Sequence, residues 1–202
     1  SESPEVKTTT GLVNSGLSIL LLCVFLALPG CGSVLSTMGS EPIEDQPSER
    51  TLARQIEDES IETKAEVNIH ASNEAFSDTN VAIVSYNGYV LLAGQVPTEA
   101  LKAEATEVVR KIYGVRRIYN ELEIASPSST ITRSSDTWIT AKVKTWLLGR
   151  SDIEGGRVKV LTENGVVYLM GLVTREEAER ISAVAADISG VQRVVRLFEL
   201  VN

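Results

Sequence analysis

Few side chains in this sequence could support covalent or metal chemistry. The 202 residues include two cysteines, Cys23 and Cys31, and one histidine, His70. A single histidine cannot form a multi-histidine metal site, and it gives little support for a Ser-His-Asp catalytic triad. We interpret His70 as a surface residue near the end of a predicted helix. The acidic pair Glu176-Glu177 stands at a predicted helix start, where negative charge is favourable. We expect no enzyme activity, no metal and no cofactor.

An apolar run at residues 17–28 comes shortly before the second cysteine. It is shorter than the about 20 apolar residues that span a bilayer, and it has the length of the apolar region of an export signal. Leu28-Pro29-Gly30-Cys31 resembles the lipobox of bacterial lipoproteins. The resemblance implies cleavage after Gly30 and acylation of Cys31, palmitate included, and Gly32 after the cysteine implies the outer membrane. The alternative is an ordinary signal peptide with a cysteine nearby.

The charge of the chain constrains its partners. Its net charge of −8 argues against nucleic acid as a partner. Residues 58–126 carry eleven acidic and six basic side chains, net −5, whereas residues 127–202 carry nine acidic and ten basic side chains, net +1. This contrast in net charge indicates that the two halves have different functions. Beyond Cys31 there is no cysteine, which excludes disulfides and thiolate metal sites in that part of the sequence.

The two halves of the sequence are an internal repeat of one structural unit. Asn87-Gly88 and Asn164-Gly165 occupy equivalent positions at an offset of 77 residues, and each pair favours a type I′ hairpin turn. Each unit is predicted to have the order α-β-β-α-β, and Thr174 with Glu177 fits a capping box. The predicted spans are 58–70 and 136–148 for the first helices, with Ser135 or Asp136 as the second N-cap, 80–86, 89–94, 157–163 and 166–171 for the hairpins, 98–112 and 174–188 for the second helices, and 115–124 and 191–200 for the last strands.

This order, with the Asn-Gly hairpin and a Gly-Val pair before the last strand, resembles the BON domain, most specifically at Asp136-Thr137-Trp138-Ile139-Thr140. The resemblance implies an α+β fold of two tandem BON domains, each with helices packed on a small mixed three-stranded sheet. We expect the two sheets to stay separate and to touch through a modest interface. The predicted divisions are a signal peptide at 1–30, a flexible tether at 31–50, a first BON domain at 51–125, a linker at 126–134 and a second BON domain at 135–202.

Two BON domains behind a lipobox resemble a family of envelope proteins. The resemblance implies a lipid-anchored outer-membrane lipoprotein on the periplasmic side. It further implies that the second domain binds anionic phospholipid and that the protein supports envelope integrity.

The repeat separates shared structural positions from positions peculiar to one unit. Trp138 aligns with Ser60, and Trp146 aligns with Asn68, so the first unit packs without either tryptophan. At 100° per residue, Trp138 lies about 100° from the core position Ile139. Trp146 falls in the core-facing sector, and we assign it to the core.

Lys142 follows Trp138 by one helical turn, and an indole beside a cation suits the interface of a membrane. We therefore predict a phospholipid-binding site on this helix, and the resemblance implies the same helix. One alternative is that Trp138 packs against the other domain. Another is that the helix contacts a protein, such as the outer-membrane assembly machinery. We interpret Arg116-Arg117 as a solvated basic pair. The predicted site residues are Trp138, Lys142, Thr145, Leu148 and Arg150.

Overall fold

The computed structural model describes residues 51–201. The predicted signal peptide at 1–30, the tether at 31–50 and the lipidation candidate Cys31 lie outside the described residues. Within 51–201, two α+β units follow one another, each with the predicted order of elements. No helix in this part of the chain is long and apolar enough to cross a membrane.

The first domain packs two helices on one face of a three-stranded sheet. Its elements are α1 (Leu52–Ser72), β1 (Asn80–Tyr86), β2 (Tyr89–Val96), α2 (Glu99–Arg110) and β3 (Arg117–Ile124). Strand β2 is central, antiparallel to β1 and parallel to β3. The side chain of Thr98 caps α2 by accepting a hydrogen bond from the Leu101 amide. His70 is exposed in the last turn of α1, as predicted.

The second domain repeats this arrangement with one difference in its last strand. Its elements are α3 (Thr130–Leu148), β4 (Val158–Glu163), β5 (Val166–Thr174), α4 (Arg175–Ala186), β6 (Arg193–Arg196) and β7 (Glu199–Val201). Both β6 and β7 pair in parallel with β5, so the sheet has four strands instead of the three expected. The predicted strand at 191–200 is interrupted at Leu197 and Phe198, which still alternate as strand residues do: Leu197 enters the space between the two sheets and Phe198 packs on the helix side.

The first helix of each domain begins earlier than predicted. Helix α3 begins at Thr130, and its N-cap is Ser129, whose Oγ accepts a hydrogen bond from the Thr132 amide at 3.1 Å. The expected caps Ser135 and Asp136 are therefore wrong, and the predicted linker at 126–134 is partly helical. The carboxylate of Asp136 accepts hydrogen bonds from the hairpin and does not cap its own helix.

Each domain has its own core between helices and sheet. In the second domain, Ile139, Val143 and Leu147 lie on the buried face of α3, at the predicted helical spacing. The capping box of Thr174 and Glu177 at the start of α4 is present as predicted. It bonds the Glu177 carboxylate to the backbone of Thr174, which lowers the pKa of that carboxyl.

The sheet faces that point away from the helices pack against each other. Leu91 and Ala93 of β2 enter a buried apolar cluster, together with Tyr168 and Met170 at the equivalent positions of β5. The residues that alternate with them face the helices. The two sheets stay separate, as expected, but the central strand of each is buried on both faces. The interface is therefore a continuous apolar layer.

Candidate functional site

A buried aspartate fixes the first helix of each domain to the hairpin turn. In the second domain, the Asp136 carboxylate accepts hydrogen bonds from the amides of Asn164 and Gly165, both at 2.9 Å. Asn164 has φ +50° and Gly165 has φ +73°, as the type I′ turn requires. Bonds to a buried carboxylate from two successive amides hold the helix in a fixed position against the sheet.

The first domain has the same device at Asp58. Its carboxylate accepts from the amides of Asn87 at 2.7 Å and Gly88 at 2.8 Å, and also from the Ser85 hydroxyl at 2.6 Å. The interpretation of the sequence missed this role. The signal for it was the recurrence of aspartate at equivalent positions of the two units, next to the recurrence of the Asn-Gly turn.

The outward face of α3 carries large apolar side chains. Trp138 is 66% exposed, so it is not buried between the domains, and the alternative that it packs against the other domain is wrong. Ile131, seven residues earlier on the same stripe of the helix, is 83% exposed, and Leu148 is 67% exposed. Thr145 is exposed on this stripe as well, and its hydroxyl donates to the Ala141 carbonyl at 2.9 Å.

Trp146 is not a core residue, which corrects the assignment made from the sequence. It is 60% exposed, whereas the adjacent Leu147 is 1% exposed. Its position lies at the margin of the core-facing sector, and the space between α3 and α4 at this margin stays open. The indole lines a groove of about 440 Å³ between the two helices, and Val184 and Ile188 also line it.

The structure divides the predicted site residues into two groups. Trp138, Thr145 and Leu148 belong to the outward face, whereas Lys142 and Arg150 line the groove beside Trp146. The Lys142 ammonium donates to the Ser189 carbonyl across the groove. Arg150 forms an exposed ion pair with Asp152 at 2.9 Å, which raises the pKa of the guanidinium and lowers that of the carboxyl. Among the residues that the structure describes, no cluster of side chains is suited to hold a metal ion.

Polar contacts surround the apolar layer between the domains. Arg116, predicted to be solvated, forms an ion pair with Glu199 of the second domain at 3.0 Å. Glu199 also accepts a hydrogen bond from the Asn87 side chain at 2.6 Å. Lys159 of β4 pairs with Glu62 of α1 at 2.6 Å. These contacts link segments far apart in the sequence, so the sequence did not indicate them.

Glu163 lies half-buried at the same interface. Its carboxylate accepts a hydrogen bond from the side chain of Asn80 at 3.2 Å. Burial raises the pKa of Glu163, and the nearby Asp136 carboxylate raises it further, while hydrogen bonds from Gln95 and Asn80 oppose the shift. A second cavity, of about 750 Å³, lies close by and is lined by Glu123 of the first domain and Gln192 of the second.

Comparison with known proteins identifies both halves of the chain with one kind of domain. The BON domain matches residues 57–126 and 135–202. Over 187 residues, 93% of either chain, the sequence is 35% identical to the outer membrane lipoprotein DolP of Haemophilus influenzae. It is 33% identical over 153 residues to the 21 kDa hemolysin of Actinobacillus pleuropneumoniae, covering 76% of this chain and 79% of the relative. The osmotically-inducible protein Y of Escherichia coli is 27% identical over 142 residues, covering 69% of this chain and 70% of that protein.

Proposed function

The chain belongs to the BON-domain family, with two copies of the domain, and we propose that it is an outer-membrane lipoprotein whose second domain binds anionic phospholipid through α3. In this proposal the protein is held on the periplasmic side by acyl chains on Cys31, and residues 31–50 are the tether. Lipid binding by α3 then keeps the two domains at the membrane surface, where they support envelope integrity.

The observation that carries the proposal is the exposure of Trp138 on a helix that the protein holds rigidly. A tryptophan has at most about 150–250 Å² to bury, so partial insertion contributes on the order of 2 kcal/mol at about 25 cal/mol per Å². Ile131 and Leu148 extend the apolar surface along the helix. A helix that lies in the plane of the membrane presents such residues along its length.

Charge supports an anionic surface as the partner. Residues 127–202 carry net charge +1, and residues 58–126 carry −5. Lys142, Lys144 and Arg150 lie on or just after α3. Each basic residue near an anionic bilayer contributes about 1 kcal/mol, and less at high salt. The basic residues of α3 therefore direct the second domain, and not the first, toward the membrane.

A second candidate is docking of a protein, such as a component of the outer-membrane assembly machinery, on the same helix. The number of large apolar side chains exposed on α3 favours it, because protein hot spots contain such residues. Lipid remains the better fit because these side chains are spread along the helix. Ile131 and Leu148 are seventeen residues apart, about 25 Å at 1.5 Å per residue, whereas hot spots cluster near the centre of an interface.

Flotation of the unlipidated 32–202 fragment with liposomes tests the proposal. We expect binding to liposomes that contain phosphatidylglycerol and little binding to phosphatidylcholine alone. Trp138→Glu should weaken the partition constant roughly 30-fold, the equivalent of about 2 kcal/mol, with little change in melting temperature. The matched control is Val67→Glu on α1, because Val67 is 61% exposed and belongs to the first domain.

Two outcomes would contradict the proposal. If Trp138→Glu binds liposomes like the wild type, α3 is not the lipid contact. If the wild-type fragment itself binds no anionic liposome, docking of a protein on α3 becomes the better explanation of the exposed apolar face.

A further inference from the structure

We propose that the groove between α3 and α4 holds one anionic phospholipid molecule, with its phosphate at Lys142 and Arg150 and the first part of an acyl chain along Trp146. This inference rests on the proposed function and adds to it a binding site for an individual lipid. It concerns the flank of α3 that faces α4, whereas membrane contact by Trp138 involves the outward face.

The walls of the groove are apolar and formed in the fold. Trp146 supplies one wall, and Val184 and Ile188 of the segment 184–189 supply the other. Ile188 is only 8% exposed and belongs to the core of the second domain, so this wall is rigid. A volume of about 440 Å³ lies within the range of about 300–1,000 Å³ in which small ligands bind. Part of a phospholipid therefore fits, and the rest of the molecule stays in the bilayer.

The cations at the groove can exchange their present partners for a phosphate. Lys142 uses one of its three N–H donors on the Ser189 carbonyl, which leaves donors for a ligand. Arg150 is paired with Asp152, but both side chains are more than 40% exposed, and exposed pairs are weak. Asp187 is the one carboxylate among the residues that line the groove. Once a phosphate displaces Asp152 from Arg150, the two cations of the lining exceed Asp187 by one charge, which favours an anionic over a zwitterionic lipid.

The first domain is an internal comparison for this site. The positions equivalent to Trp146 and Arg150 are Asn68 and Ser72, at an offset of 78 residues. The apolar wall and one of the two cations are therefore peculiar to the second domain. The shared core does not require them, because the first domain folds around the same α-β-β-α-β frame without them.

Tryptophan fluorescence tests the inference directly, because Trp138 and Trp146 are the only two tryptophans in the sequence. The full 202-residue chain is reconstituted in vesicles of equal parts phosphatidylcholine and phosphatidylglycerol, with bromine on the acyl chains of one lipid or the other. Trp138→Phe leaves Trp146 as the sole reporter, and Trp146→Phe leaves Trp138. We expect Trp146 to be quenched more strongly when the brominated lipid is phosphatidylglycerol. We expect Trp138 to be quenched by either lipid.

Filling the groove separates the bound lipid from simple immersion of the helix. Val184→Phe should abolish most of the quenching of Trp146 and leave that of Trp138 unchanged. Arg150→Gln should raise the phosphatidylglycerol content needed for half-maximal quenching of Trp146 about fivefold, as expected for one basic residue at an anionic surface. Lys144→Gln, on the same helix but outside the groove, is the matched comparison. It should weaken the quenching of Trp138 and Trp146 equally, whereas Arg150→Gln should weaken that of Trp146 more than that of Trp138.

The outcomes distinguish this inference from the proposed function. If neither tryptophan is quenched, the proposed lipid contact of α3 is contradicted, and so is the lipid site in the groove. If Trp138 is quenched and Trp146 is not, only the groove is overturned. The groove is also overturned if Trp146 is quenched equally by the two brominated lipids, or if Val184→Phe and Arg150→Gln leave its quenching unchanged. If Val184→Phe fails to fold, the comparison of Arg150→Gln with Lys144→Gln decides.

Discussion

Arg116 of the first domain forms a two-pronged ion pair with Glu199 of the second, with N–O distances of 3.0 and 3.2 Å. The equivalent residues with the domains exchanged are Gln192 and Glu123, at an offset of 76 residues. Because the two sheets present equivalent faces to each other, these two side chains come to the same place on the opposite side of the interface, where both line the 750 Å³ cavity. Glutamine cannot form the ion pair, so the second side of the interface lacks the ionic contact of the first.

Restoring this contact should stabilise the protein. Gln192 packs on Gly165 as Arg116 packs on Gly88: a Cβ atom built on either glycine would lie 3.0 Å from the Cγ of its neighbour. The side chain of Gln192→Arg should therefore follow the course of Arg116 and reach Glu123. We expect a gain of about 0.2–1 kcal/mol in the free energy of unfolding in urea, as for other exposed ion pairs. The gain should disappear in the Glu123→Gln background; an equal gain there would show that the pair does not form.

The interface should also respond to pH through Glu163. Its pKa is raised above 4.5 in the folded protein by burial, so the folded state holds this proton more tightly than the unfolded state does. The ionised carboxylate therefore opposes folding near pH 7, and this unfavourable contribution fades as the pH falls through the raised pKa toward 4.5. Glu163→Gln removes the charge and keeps an oxygen for Asn80. We expect the variant to melt at a higher temperature than the wild type near pH 7, with a difference that shrinks toward pH 4.5.

The exposed residue Glu66 of α1 is the control for this experiment. Glu66→Gln should not reproduce the pH-dependent difference. A Glu163→Gln variant with the same offset in melting temperature at every pH would show that the effect arises from packing and not from the charge.

The bond between first helix and hairpin should be a main determinant of stability in each domain. Asp136→Asn has one carbonyl oxygen where the carboxylate has two, and it turns an NH₂ group toward a backbone amide. The loss of one hydrogen bond to a charged acceptor costs about 1.5–3 kcal/mol, which a shift of the urea midpoint would measure. Asp152→Asn, at an exposed ion pair, should shift it much less. Equal midpoints for the two variants would mean that the hairpin holds α3 without Asp136.

Much of the fold followed from short-range patterns in the sequence. Asn87 and Asn164 have φ of +52° and +50°, as the Asn-Gly pairs predicted, because this turn needs positive φ at both central positions. The repeat then supported the α-β-β-α-β order twice over, and the BON domain matches both units. The outward position of Trp138 also followed, because it lies well away from the single buried sector of its helix.

The sequence by itself determined the elements, the repeat and the buried sector of each helix, since these depend on residues within a few positions of one another. Only the tertiary structure decided which segments pack on the sides of the helices and strands that lie outside this buried sector. It left Trp146 exposed in a groove, and it paired Arg116 with a residue 83 positions away. It also buried the second face of β2, at Leu91, against the other sheet. The physical reason is the same in each case. Hydrophobic periodicity shows one buried face of a helix or strand, whereas contacts on another face come from segments that are distant in the sequence.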